Sequence, residues 1–156
     1  VLQLTKGKML LDVDFKLEGE AAVRQTFDLI EKYGMEDQIL FFLYDFPETK
    51  QYQKLNKDIK IMPRAYSRKD IRGIRKLEDI SIIHIDESYY RDGTMHRLIK
   101  SGYRVWINAL GKYDSMEAQE KNSGFDALLS RKYVNVIQTD LPEELLSYLR
   151  SKNLHR

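Results

Sequence analysis

The sequence contains no cysteine and no long run of apolar residues. Without cysteine, the chain forms no disulfide bond, binds no metal through a thiolate and has no cysteine nucleophile. No stretch is long and apolar enough for a transmembrane helix, and no signal-peptide pattern is present. The sequence therefore predicts a soluble chain without a membrane span, and it leaves the cellular compartment open.

An excess of charge of one sign is also lacking, because 26 Lys and Arg residues oppose 24 Asp and Glu residues and the net charge is only +2. This balance gives no reason to expect nucleic acid or an anionic membrane as a partner. The ten tyrosines are scattered and are not interleaved with a basic stripe. With 156 residues and no internal repeat, residues 1–156 are expected to form a single domain with a real core.

Short runs rich in β-forming residues alternate with amphipathic stretches. The predicted strands are residues 9–15, 39–44, 59–62, 80–85, 103–110 and 133–138. Helices are predicted between most of them, including one that Gly34 ends, one that Ser67 and Asp70 cap, and a last one that begins at Pro142. Such alternation is typical of parallel strands joined by helical crossovers, and so of an α/β fold.

Two α/β architectures fit this alternation, the doubly wound sheet and the (β/α)8 barrel. The sequence has neither GxGxxG nor GxxxxGK[ST], the glycine-rich turns typical of nucleotide-binding doubly wound sheets. Polar residues instead follow several strands, as in a (β/α)8 barrel, where the site lies at the carboxyl ends of the strands. Because six strands cannot close that barrel, the prediction is an incomplete one. A complete six-stranded doubly wound sheet remains the alternative.

The most informative segment is Leu-Asp-Val-Asp-Phe-Lys at residues 11–16. A strand places alternate side chains on opposite faces, so Asp12, Asp14 and Lys16 share one face and three apolar residues share the other. Burial of an unpaired charge is strongly unfavourable, so these groups must pair, bind an ion or lie in water. We interpret Asp14 and Lys16 as site residues, with a plain ion pair as the alternative, and Asp12 as a structural carboxylate.

Three short motifs follow one another along the chain: Asp-Phe-Lys at 14–16, Val-Trp-Ile-Asn at 105–108 and Thr-Asp-Leu-Pro at 139–142. With these motifs the chain resembles the last six strands of a glycerophosphodiester phosphodiesterase. Family members carry Glu-x-Lys on the third barrel strand, a Trp-Thr-Val-Asn-like element on the seventh and Thr-Asp-x-Pro after the eighth. Asp14 replaces the usual Glu, which shortens the reach of that carboxylate by one methylene.

The resemblance implies a metal-dependent hydrolase of lipid and glycerol metabolism that converts glycerophosphodiesters to glycerol 3-phosphate and an alcohol. It implies that Asp14 binds a divalent cation, Mg2+ or Ca2+, and that Lys16 is catalytic because it neutralises the phosphoryl oxygens. The histidine pair and the Glu-x-Asp ligands that the family carries on its first two strands are missing. We therefore expect the isolated chain to be inactive, and the alternative is a non-catalytic anion-binding or interaction domain.

Four more residues are candidates for substrate binding. Arg64 follows a strand and can grip phosphate through two N–H groups, although a surface arginine is an equal alternative. Trp106 could line the substrate site or fill the core, and Asn108 shares its strand face. Asp140 is placed beside the site, although an acidic residue before Pro142 also suits a helix start.

The remaining expectations concern histidines, loops and partners. His84 is expected to be a satisfied core residue of a strand, whereas His96 and His155 are expected at the surface. Residues 112–124 are expected to form a long polar loop. The exposed strand edges of an incomplete barrel predict self-association, pairing with an amino-terminal segment absent from this sequence, or aggregation. The small-molecule partner implied is a phosphodiester.

Overall fold

The computed structural model describes residues 1–17 and 19–155 of the chain. Within them the chain forms two compact units, Val1–His84 and Ile85–Arg156. The strands are β1 (Leu11–Asp14), β2 (Ile39–Leu43), β3 (Lys60–Ala65), β4 (Ile82–Ile85), β5 (Arg104–Asn108) and β6 (Val136–Gln138). Each of them lies within or across one of the six predicted segments, so the predicted α/β class is confirmed.

Helices separate the strands along the chain. They are α1 (Leu2–Thr5), α2 (Glu20–Tyr33), α3 (Thr49–Gln53), α4 (Arg68–Ile74), α5 (Asp92–Lys100), α6 (Lys112–Gln119), α7 (Ser123–Leu129) and α8 (Pro142–Ser151). Gly34 ends α2 in the left-handed conformation at φ 57°, which glycine adopts without strain. The Ser67 side chain accepts a hydrogen bond from the Asp70 N–H at the start of α4. Both signals act as the sequence predicts.

The first unit is built on parallel strands in the order of the chain. β1 pairs with β2 and β2 with β3, and β4 follows β3. Alternate residues of β1 pack with α2 against a core that includes Phe27, Phe41 and Ile61. Adjacent strands that follow chain order are typical of a barrel, whereas a doubly wound sheet reverses its order at a switch point.

The second unit contains the parallel pair β5 and β6, which are in register from Trp106 opposite Val136 to Asn108 opposite Gln138. Val105 and Ile107 are fully buried on one face of β5. Phe125, Leu145 and Tyr148 form a separate apolar cluster that joins α7 to α8. The amphipathic pattern of residues 142–151 therefore produces the predicted final helix.

Two sequence expectations about the second unit are wrong in detail. Residues 112–124 hold helix α6 and the start of α7 instead of a long loop, because Tyr113, Asp114 and Glu117 are buried at helical spacing. The strand expected at 133–138 begins only at Val136, since Tyr133 has a positive φ of 69° that is incompatible with a strand. No helix within residues 1–17 and 19–155 could cross a membrane.

Candidate functional site

On the charged face of β1, in the first unit, Asp14, Lys16 and Tyr44 each contact the other two. The Lys16 ammonium lies 2.8 Å from Asp14 Oδ2. Tyr44, the residue after β2, donates its phenol hydrogen bond to Asp14 Oδ1 at 3.0 Å and accepts one from Lys16. The side chains of Lys16 and Asp14 are 65% and 47% exposed. The three groups therefore form a connected cluster that a dissolved ligand can reach.

The electrostatics of this cluster keep Lys16 cationic. The hydrogen bond to Asp14, followed by that to Tyr44, raises the pKa of the Lys16 amine above its usual value. Burial of the carboxyl group, with a smaller effect from Asp14, raises the pKa of Asp12 to about 6, although the residue keeps exposed surface. One face of β1 thus carries the Lys16 cation and, at Asp12, a carboxyl group whose pKa is raised to about 6.

Strand register brings Arg64 to the same face as this cluster. Asp14 of β1 lies opposite Phe42 of β2, and Leu43 of β2 lies opposite Pro63 of β3. The next residues after Leu43 and Pro63 are Tyr44 and Arg64, so these two occupy matching positions near the carboxyl ends of β2 and β3. The Arg64 guanidinium lies over the Tyr66 ring, 4.9 Å from its centroid. The two cations Lys16 and Arg64 thus lie on one face of the sheet, near the carboxyl ends of β1 and β3. This arrangement suits the oxygens of a phosphate.

The expected burial of the strand histidine is confirmed, and the expectation for the helix histidine differs from the structure. His84 is 2% exposed on β4, and its ring meets the Phe42 ring edge-on at 5.1 Å. His96 on α5 is half-buried and stacks on the Tyr133 ring at 4.8 Å between centroids, so it is less exposed than the sequence predicts. His155 is exposed, as predicted. The described residues contain no group of three His, Cys, Asp or Glu side chains arranged to hold a metal ion. Asp14 alone therefore does not build a cation site in this stretch.

The second unit holds the candidates from the later strands. Trp106 Nε1 lies 3.4 Å from Asn108 Oδ1 and 3.3 Å from Gln138 Oε1, and donates to both. The register of β5 and β6 places these three side chains on the face opposite buried Val105 and Ile107. The structure therefore brings Trp106 and Asn108 together, with the indole N–H satisfied inside the cluster.

A buried carboxylate controls the segment that carries Asp140. Asp114 on α6 is 7% exposed, and it accepts hydrogen bonds from the Thr139 hydroxyl at 2.6 Å and from the Asp140 N–H at 2.7 Å. The Thr139 oxygen in turn accepts the Leu141 N–H at 3.0 Å. The Asp140 side chain is exposed. The loop before α8 is thus held through its backbone, and its acidic side chain is left in solvent.

Sequence reasoning did not single out Tyr44, Gln138 or Asp114. In the sequence, Tyr44 is only one of several polar residues that follow predicted strands. Gln138 is recognisable only once the register opposite Asn108 is known. Asp114 lies within residues expected to form a loop, so its burial carried no signal.

Comparison with solved structures reveals the same fold in two phosphodiesterases. A glycerophosphoryl diester phosphodiesterase from Parabacteroides distasonis matches 97% of this chain with a TM-score of 0.78 at 15% identity. A proposed glycerophosphodiester phosphodiesterase from Galdieria sulphuraria matches 96% with a TM-score of 0.73 at 13% identity. No family model and no curated protein matches the sequence.

The matches cover only 54% and 61% of those two chains, so this chain spans little more than half of their length. The resemblance seen in the sequence is therefore confirmed at the level of the fold. The chain has an α/β fold that corresponds to part of a phosphodiesterase-like barrel of the (β/α)8 type.

Proposed function

We propose that this chain carries the phosphate-binding part of a glycerophosphodiester phosphodiesterase. The observation that supports this most strongly is the contact of Lys16 with Asp14 and Tyr44 at the carboxyl end of β1, with Arg64 on the same face two strands away. The whole reaction consumes water and a glycerophosphodiester and yields glycerol 3-phosphate and an alcohol. Lys16 and Arg64 would neutralise the phosphoryl oxygens as negative charge builds up on them.

A divalent cation, Mg2+ or Ca2+, remains part of the proposal, with Asp14 as a candidate oxygen ligand. Both Asp14 oxygens already accept a hydrogen bond or ion pair, and the described residues supply no group of three ligands. The residues present therefore do not fit a complete cation site, and no step is assigned to a metal. Among the described residues no contact of Lys16 with a histidine is found, and His84 is buried against Phe42.

The proposed function is tested by separating binding from turnover. We expect the chain to bind glycerol 3-phosphate with an affinity on the order of 1 mM, because few exposed charges make the contact. Release of glycerol 3-phosphate from glycerophosphocholine is then measured with Mg2+, with Ca2+ and with a chelator. Binding without turnover supports the anion-binding alternative for this chain. If the chain shows no binding and no turnover, the proposal is contradicted.

We further propose that apolar surface around β1 pairs with another polypeptide segment. Leu4 in α1, and Leu10 and Leu17 on either side of β1 in the sequence, are 74%, 78% and 68% exposed, which is high for large apolar side chains. The isolated chain is expected to self-associate, measurable by sedimentation at several concentrations. Leu10→Lys should shift the chain towards monomer, and a monomer at every concentration before substitution would contradict the expectation.

A further inference from the structure

Tyr44 connects the two charged groups of the β1 cluster. Its hydroxyl donates to Asp14 Oδ1 at 3.0 Å and accepts from the Lys16 ammonium. Lys16 also contacts Asp14 Oδ2 directly at 2.8 Å. Each member therefore contacts both of the others, and removal of the hydroxyl would leave only one direct contact between the charges.

The Tyr44 ring gives Lys16 a second contact. The ammonium lies 4.7 Å from the centroid of the ring, at the end of the ring that carries the hydroxyl. Phe42 supports the ring edge-on at 4.6 Å between centroids and is itself 6% exposed. A lysine with 65% exposure would otherwise sample many rotamers, so an anchored aromatic ring restricts where its ammonium can lie.

A cavity of about 500 Å3 in the first unit lies next to Lys16 and Tyr44, but neither Asp14 nor Arg64 lines it. Lys16 and Tyr44 line it together with Phe15, Leu43, Asp45 and Glu48. An ammonium has three N–H donors, of which Asp14 and Tyr44 take two. The remaining donor and the exposed surface of Lys16 allow a phosphoryl oxygen to bind on the strand face that Lys16 shares with Arg64.

We propose that Tyr44 is a positioning residue that holds the Lys16 ammonium where it meets a phosphate group on the strand face that Lys16 shares with Arg64. This inference rests on the proposed function and adds to it the residue that orients the cation. Tyr44 acts through Lys16, by its hydroxyl and by its ring, and the two contributions can be removed one at a time.

The test compares Tyr44→Phe, which keeps the ring, with Tyr44→Leu, which loses both ring and hydroxyl. Affinity for inorganic phosphate and for glycerol 3-phosphate is measured, together with the side-chain NMR resonances of the Lys16 methylene and ammonium groups. Tyr44→Phe is expected to weaken phosphate binding roughly three- to tenfold and to shift the Lys16 resonances. Tyr44→Leu is expected to weaken it further.

Tyr133→Phe serves as the matched control, because it removes a hydroxyl from a partly exposed tyrosine of the second unit. It should leave phosphate affinity and the Lys16 resonances unchanged, and the thermal midpoint shows that each variant is folded. Unchanged Lys16 resonances in Tyr44→Phe would overturn the inference, and so would unchanged phosphate affinity. Failure of the unsubstituted chain to bind phosphate would overturn the proposed function as well, so the two failures are distinguishable.

Discussion

The two units hold their functional candidates in opposite ways. In the first unit Asp14 and Lys16 are about half or more exposed, and they contact each other and Tyr44 in water. In the second unit Asp114 is 7% exposed and uses both oxygens to hold the backbone and hydroxyl of the Thr139–Asp140 loop. An exposed ion pair adds little to stability but remains open to a ligand, whereas a buried, satisfied carboxylate fixes a loop.

Gly124→Ala should have the largest effect, because the second unit packs α7 closely against α6. A Cβ at this position would lie 2.0 Å from the Tyr113 carbonyl oxygen and 2.8 Å from the Glu117 nitrogen, and both are backbone atoms. We expect a loss of at least about 3 kcal/mol in the free energy of unfolding, measured by urea titration. Gly73→Ala in the first unit should cost less, since its Cβ meets the far end of the Phe46 ring at 2.5 Å.

Gly93→Ala is the control for the added methyl group. Its Cβ would meet only Arg97 Nη1 at 3.8 Å within α5, so the better helix propensity of alanine should raise stability by about 0.5 to 1 kcal/mol. A Gly124→Ala variant as stable as the unsubstituted chain would show that α6 and α7 do not approach this closely.

Asp114→Ala should have the second largest effect. The substitution leaves the Thr139 hydroxyl and the Asp140 N–H without their acceptor, and we expect a loss of about 1 to 3 kcal/mol in unfolding free energy. The Asp140 amide should also exchange its hydrogen faster with solvent. Asp28→Ala, the same change at an exposed position of α2, should change stability by less than about 0.5 kcal/mol. Equal effects of the two substitutions would contradict the role assigned to Asp114.

Local patterns predicted much of the fold and the first half of the candidate site. The alternation in residues 11–16 placed Asp14 and Lys16 on one face, and the structure shows both in contact there. Strand positions, the Gly34 stop and the Ser67 cap follow from period and from single-residue chemistry.

The rest depends on contacts between residues far apart in the chain. Tyr44 meets Asp14 across 30 positions, and Asp114 meets Thr139 across 25. Most polar residues of 112–124 lie on the exposed side of a helix, whereas Asp114 and Glu117 are buried and hydrogen-bonded, so the stretch is polar without forming a long loop. Composition cannot distinguish a buried carboxylate with two partners from a solvated one.

Lys16→Met should separate binding from stability. It removes an exposed ion pair, so the free energy of unfolding should stay close to that of the unsubstituted chain. Affinity for glycerol 3-phosphate, measured by calorimetry or by 31P NMR, should fall at least about tenfold because the cation is lost. Lys121→Met, at an exposed position of the second unit, should retain the affinity. Similar affinities in both variants would exclude Lys16 as the phosphate contact.

The smallest expected effect is the pH dependence that Asp12 introduces. Its pKa is about 6 in the folded chain against a usual 3.8, so between these pH values the folded chain binds more protons than the unfolded one. The free energy of unfolding should therefore fall as the pH rises from 4 to 6, by less than about 1 kcal/mol because the residue keeps exposed surface. Asp12→Asn should flatten this part of the pH profile and leave the variant slightly more stable at pH 7. An unchanged slope between pH 4 and 6 in Asp12→Asn would mean that the exposed face of β1 hydrates Asp12 as freely as the unfolded chain does.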